Sequence, residues 1–218
     1  CNAFGITTVG SMEYERDLRE VHMHLRAHER AACTLRVRAT ILDRDWPVDF
    51  AWGRAFAGDD LLAIVGWKSF IDGTLGSRTA RMLAPYADDA ANRGMFVEFA
   101  EHDAAGHGAR LRQWAHEVLA LGFSPSVHAI GDEALRAAID AIAPEDRERI
   151  ARYEHCQTMD DAELARMRGR FASMQPLHKA DDARIAPARL GKERMKAFFR
   201  FRDLVGAGAR LAFGSDWP

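Results

Sequence analysis

Apolar and polar residues follow one another along this chain in two rhythms, and the switches between them mark out a repeating strand and helix pattern. Apolar runs of strand length occur at residues 6–12, 35–42, 61–71, 123–129, 150–155, 171–175 and 210–214. Between them, apolar positions recur at helical spacing or good helix formers cluster, which predicts helices over 16–31, 46–58, 109–121, 132–142, 160–168 and 192–205. Gly122 and Pro144 supply stops, and Thr158 is the expected N-cap of the helix over 160–168. Residues 72–108 are punctuated by Gly, Pro and Asp with little periodicity, so a long loop is expected there, and a loop of this length is a candidate lid.

Strand and helix alternating in this way imply right-handed βαβ units and a parallel sheet. Seven such strands fit an α/β (β/α)8 barrel of the TIM type that lacks its first strand. The chain opens at Cys1, with Asn2-Ala3-Phe4-Gly5 resembling the tail of a helix, and finishes at Pro218. Residues 1–218 therefore read as an internal piece of a longer protein, covering strands two to eight of one barrel domain.

Composition narrows the function classes. A formal net charge of -2 over 218 residues offers no basic field for a phosphate backbone, so nucleic acid is not an expected partner. No apolar stretch approaches the roughly 20 residues of a membrane span, and no signal-peptide pattern opens the chain. Cys1, Cys33 and Cys156 make no C-x-x-C pair and no even framework, which suits a reducing compartment. The expectation is a soluble cytoplasmic protein acting on a small molecule; a homo-oligomer is compatible with it.

The candidate chemistry sits where the apolar runs end. Ser126-Val127-His128, Tyr153-Glu154-His155 and Phe213-Gly214-Ser215-Asp216 each finish in a residue able to bind a metal, and the run at 61–67 ends in Lys68. In parallel barrels the chemistry gathers at the C-terminal ends of several strands. Two imidazoles and a carboxylate supply the donors that suit zinc and similar divalent ions. Lys68 fits this set poorly as a cation; a buried lysine there is either a base, a covalently modified residue or an ordinary structural one. His22-Met23-His24 has the H-x-H form of a metal pair but lies inside the helix over 16–31, where neighbours two apart point about 200° from each other, and it is set aside. His178, just past a strand end, is a candidate oxyanion stabiliser. Asp72, Arg78 and Trp217 are candidate substrate contacts.

Five stretches together resemble a known family. Trp67 to Ala80 (WKSFIDGTLGSRTA), His128-Ala129-Ile130-Gly131-Asp132, Glu154-His155-Cys156-Gln157, Ser173-Met174-Gln175-Pro176-Leu177-His178 and Phe213-Gly214-Ser215-Asp216-Trp217-Pro218 look like the successive motifs of the family 3, YtcJ-like amidohydrolases. The resemblance implies a distorted (β/α)8 barrel beside a small β-sandwich, with one or two divalent ions, usually zinc. It implies His128 and His155 as metal ligands, Lys68 as a carboxylated bridging ligand, and Asp216 as the ligand that takes the proton from attacking water. The implied reaction is hydrolysis of an amide or similar C–N bond. A deaminase or a lactone or ester hydrolase on the same barrel is the alternative, and a catalytically inactive fragment or binding protein is a third reading. The family's H-x-H pair belongs to a first barrel strand that this sequence does not contain, and the sandwich segments are absent too.

Overall fold

The computed structural model describes residues 1–42, 53–54, 60–98 and 104–217, and these fall into two units, 1–69 with 118–126, and 70–117 with 127–218. In both, the strands lie in the sheet in the order in which they follow one another in the chain. Seven strands occur among the described residues, each within two residues of its predicted bounds. The helix expected over 46–58 falls largely outside the described residues.

The first unit holds β1 (Thr8–Tyr14), β2 (Arg36–Leu42) and nearly all of β3 (Leu62–Phe70). β1 pairs with β2 and β2 with β3, both parallel. The second pairing slips by one residue between Ala39 and Thr40, so that Thr40 meets Gly66. Gly66 has a steric reason to be glycine: a Cβ there would lie 2.2 Å from the Ser124 carbonyl oxygen, in β4 (Ser124–Ala129). β3 is apolar on both faces, as expected for a parallel strand. Trp67 is fully buried with its ring 4.6 Å from that of Phe123. The helical run α1 follows β1 through Glu15–Asp17, Leu18–Met23 and His24–His28, its middle portion wound in wider π-type turns. Only Leu18 of Glu15–Met23 is buried, so this is a solvated helix, and His22 bonds Glu13 at 3.1 Å.

The second unit begins at Phe70 and carries the C-terminal ends of β3 and β4. Ile71 N–H donates to the His128 carbonyl at 3.0 Å and Cys156 N–H to that of Ala129 at 3.1 Å, which aligns the end of β4 between those of β3 and β5 (Arg152–His155). β5, β6 (Phe171–Met174) and β7 (Arg210–Phe213) continue in parallel. α2 (Ala104–Ala120) starts five residues before its expected position, because Gly106 and Gly108 read as loop residues in the sequence. α3 (Asp132–Ile142) has the predicted bounds and packs Ala134, Leu135, Ala138, Ile139 and Ile142 into the core. Each fully buried Leu or Ile contributes about 1.5–3 kcal/mol relative to exposure.

Two local expectations need correction, and one helix lies where none was predicted. α4 (Asp161–Arg166) is capped by Asp160, whose carboxylate accepts from the N–H groups of Ala162 and Glu163; Thr158 instead donates to the Ile130 carbonyl at 2.7 Å. Pro176–Asp182 forms a helix, α5, with Pro176 in the first turn where its missing N–H costs nothing. The helix expected over 192–205 is broken into α6 (Ala186–Arg194), a short 3-10 turn and α7 (Phe201–Gly206). The break follows from tertiary bonds. Phe199 N–H donates to the Gln157 carbonyl at 2.7 Å and Met159 N–H to that of Ala197 at 3.0 Å, and Phe199 takes φ 48°.

Residues 72–98 are irregular, as expected, yet firmly held. Leu75, Ala80, Met82 and Tyr86 are buried, and Tyr86 Oη donates to the Ala80 carbonyl at 2.6 Å. Two arginines from α6 reach into the segment. Arg189 pairs with Asp88 and bonds the Gly76 carbonyl at 3.2 Å; Arg194 bonds the carbonyls of Ala84 and Pro85 at 3.1 and 2.6 Å.

Candidate metal centre

At the end of β4, His128 is 7% exposed and its Nε2 lies 2.9 Å from the Gly73 carbonyl oxygen. A carbonyl only accepts, so Nε2 carries the hydrogen and Nδ1 is the basic nitrogen of the neutral ring. Fixing a histidine by its second N–H is the arrangement typical of metal-binding imidazoles. The chain then turns sharply into α3. Gly131 allows the turn, since a Cβ there would lie 1.9 Å from the Arg81 carbonyl oxygen, which accepts from the N–H groups of Glu133 and Ala134.

At the end of β5 the backbone is strained. Cys156 N–H approaches the Glu154 carbonyl at 3.0 Å across His155, whose φ is 71°, and Cys156 itself has φ 47°. A turn closed over a single residue with positive φ is rare, and each such residue costs of order 1–3 kcal/mol. It turns the His155 ring to 4.5 Å from that of His128, edge to face. Nδ1 of His155 lies 2.7 Å from Gln175 Oε1, and the Gln175 amide nitrogen lies 3.4 Å from the Ser173 carbonyl. His155 Nδ1 thus donates, leaving Nε2 basic. Burial raises the Cys156 thiol well above its usual range.

Beyond β7, Asp216 adopts φ 54° and brings Oδ2 to 4.0 Å from His155 Nδ1 and 3.9 Å from His178 Nε2. His178 stands in the first turn of α5, its ring stacked on that of His155 at 6.1 Å. Ligand-type atoms of His155, His178 and Asp216 all lie within 4.8 Å of one another. Donors about 2.1 Å from a tetrahedral ion are roughly 3.4 Å apart, so these three would draw closer to share one, with His155 offering Nε2 because its Nδ1 is on Gln175. Nitrogen and carboxylate donors suit zinc among such ions. His178 thus stands beside the Asp216 carboxylate and the His155 ring, within the group of side chains that could hold an ion, a position that its strand-end motif alone did not reveal.

The other expected residues lie as follows. Lys68, in the first unit, is 4% exposed with Nζ 3.0 Å from Met12 Sδ. Asp72 is buried, and its two oxygens accept from the N–H groups of Ile130, Gly131 and Arg81. Burial pushes its carboxyl up to about 7, against these three donors, which favour the ionised form. Arg78 clamps Asp88 with two bonds of 3.1 and 3.0 Å, and the Arg78 and Arg189 guanidiniums hold the Asp88 carboxyl below its usual range. Trp217 is 87% exposed. Gln175, the partner of His155, was assigned no role from the sequence. Its signal was a polar residue closing an apolar run just before Pro176.

A model of the amidohydrolase family matches residues 1–218. The Arabidopsis thaliana protein Long After Far-Red 3 is 36% identical over 166 residues, 72% of this chain and 27% of that protein. The putative amidohydrolase YtcJ of Bacillus subtilis is 36% identical over 156 residues, 69% of this chain and 28% of that protein. The matches thus span little more than a quarter of either relative. Two solved structures, described as uncharacterized metal-dependent hydrolases of Pyrococcus horikoshii and Pyrococcus furiosus, superpose with TM-scores of 0.81 each at 28% and 26% identity. They match the whole of this chain and 42% and 44% of their own. With its motifs in order and the family's match running from first residue to last, the chain belongs to the amidohydrolase family.

Proposed function

We propose that this protein is a metal-dependent hydrolase that cleaves a C–N bond, most simply an amide, in a small-molecule substrate. The observation that carries the reading is the grouping of His155, His178 and Asp216, with the His128 ring against that of His155. His128, His155 and Asp216 would hold one or two divalent ions, zinc by their chemistry. Lys68 joins them as a carboxylated ligand on the strength of its motif. The eight-stranded barrel, of which these strands would be the second to the eighth, belongs to the same proposal, as does a cytoplasmic setting.

When bound, such an ion activates water and polarises the substrate carbonyl. The residues do the rest. Asp216 Oδ2 takes a proton from the attacking water and returns it to the leaving nitrogen, general acid–base work of about 10²–10⁴-fold. His178 is exposed enough to meet substrate and donates a hydrogen bond to the carbonyl oxygen as negative charge builds. Gln175 keeps the His155 ring oriented throughout. Trp217 lines the substrate side.

The test is elemental analysis of the full-length protein together with a panel of N-acyl amides. One or two equivalents of zinc and turnover of an amide are expected. Protein that stays metal-free under replete conditions and turns nothing over would overturn the reading.

A further inference from the structure

Three consecutive residues, Ile71, Asp72 and Gly73, grip the end of β4. Ile71 N–H holds the His128 carbonyl at 3.0 Å, and the Gly73 carbonyl takes the hydrogen on His128 Nε2 at 2.9 Å. Between them, Asp72 Oδ1 accepts from Ile130 N–H at 3.0 Å and Oδ2 from Gly131 N–H at 2.8 Å and Arg81 N–H at 2.8 Å. Oδ1 also stands 3.5 Å from His128 Nε2. We propose that Asp72 is a positioning residue for His128, pinning the β4 exit and the protonated edge of the imidazole so that Nδ1 is the metal-binding nitrogen. This rests on the metal reading above.

The chemistry of the contacts explains why the residue is an aspartate. A carboxylate accepts on both oxygens, at about four lone-pair sites. Three are taken by backbone N–H groups of the turn, and Oδ1 adds its negative charge 3.5 Å from His128 Nε2, whose hydrogen lies on the Gly73 carbonyl. Asparagine has the same shape but one accepting oxygen; its NH2 would meet N–H groups in a site where Asp72 is 1% exposed. Outer-shell partners of metal-bound histidines characteristically fix tautomer and ring orientation in this way. Asp72 meets the three backbone donors with its own oxygens, so its role lies in the site's frame rather than in substrate contact.

The experiment compares zinc affinity, by chelator competition, for wild type, His128→Ala and Asp72→Asn in the full-length protein, with apo-protein melting as a control. Asp72→Asn is expected to weaken zinc binding about 10–100-fold. With metal saturating, kcat should fall while KM stays within about twofold, because a misplaced ligand weakens stabilisation of the transition state more than it weakens substrate binding. Zinc binding unchanged in Asp72→Asn but lost in His128→Ala overturns the inference and leaves the metal reading standing. Equal zinc binding by wild type and His128→Ala removes His128 as a ligand, and the inference falls with it. Should Asp72→Asn not fold, the ¹⁵N spectrum of His128 in the wild-type apo protein decides. A neutral ring protonated at Nε2 supports the proposal, and one protonated at Nδ1 overturns it.

Discussion

The strand ends of β4 and β5 and the strand end of β7 carry their candidate ligands in opposite surroundings. His128 and His155 are 7% and 4% exposed, and each has one ring nitrogen tied to an acceptor, the Gly73 carbonyl or Gln175. The Asp216 side chain is 43% exposed, and its near neighbours are the rings of His155 and His178 at about 4 Å. The difference matches the work proposed for each. A ligand that only holds an ion gains from being locked, since a small misplacement costs affinity. A carboxylate that carries a proton has to meet water and substrate.

Three substitutions bear on that contrast. Asp216→Asn should cost the most activity, about 10²–10⁴-fold in kcat, because it removes the proton carrier. The same variant should melt within about 0.5 kcal/mol of wild type, as surface changes do. A large loss of stability would mean that Asp216 is as firmly built in as the histidines. Gln175→Leu should act on both sides. It leaves the His155 N–H buried without an acceptor, at about 1–3 kcal/mol in a denaturant melt, and loosens a ligand, at about 10-fold or more in zinc affinity. Zinc affinity equal to wild type would break the contrast at β5. Asp160→Ala is the remote control. It deletes the cap of α4 for about 1 kcal/mol of stability, and amide turnover at saturating zinc should be unchanged.

Much of this architecture was legible in the sequence, for a definite reason. Parallel strands are buried on both faces, so they appear as apolar runs such as Leu62–Phe70, and all seven are where those runs lie. α3 was legible because Asp132 opens it and Pro144 lies just beyond its end. What the sequence hid was tertiary. Nothing local at 197–199 announces that the backbone of 157–159 will capture it and end a helix. Pro176 reads equally as a loop residue and as a helix start, so His178 was not expected in a helical first turn. The candidate ligands were visible as strand-end residues. Their supports, Gln175 and the backbone bonds of Asp72, were not, because partnership across a sheet leaves no periodic trace.

The arginines that α6 sends into residues 72–98 set a clock. Arg194 follows Pro85 by 109 residues, a gap that a ribosome adding about 5–20 residues per second crosses in roughly 5–20 s. Until then the Ala84 and Pro85 carbonyls lack their guanidinium partner, and Asp88 waits nearly as long for Arg189. Nascent chains stalled before Arg189 has emerged from the ribosome should be cut by protease within 72–98, and chains from which Arg194 has emerged should resist. The stretch that grips His128 is thus finished late in synthesis, long after its own residues have left the ribosome.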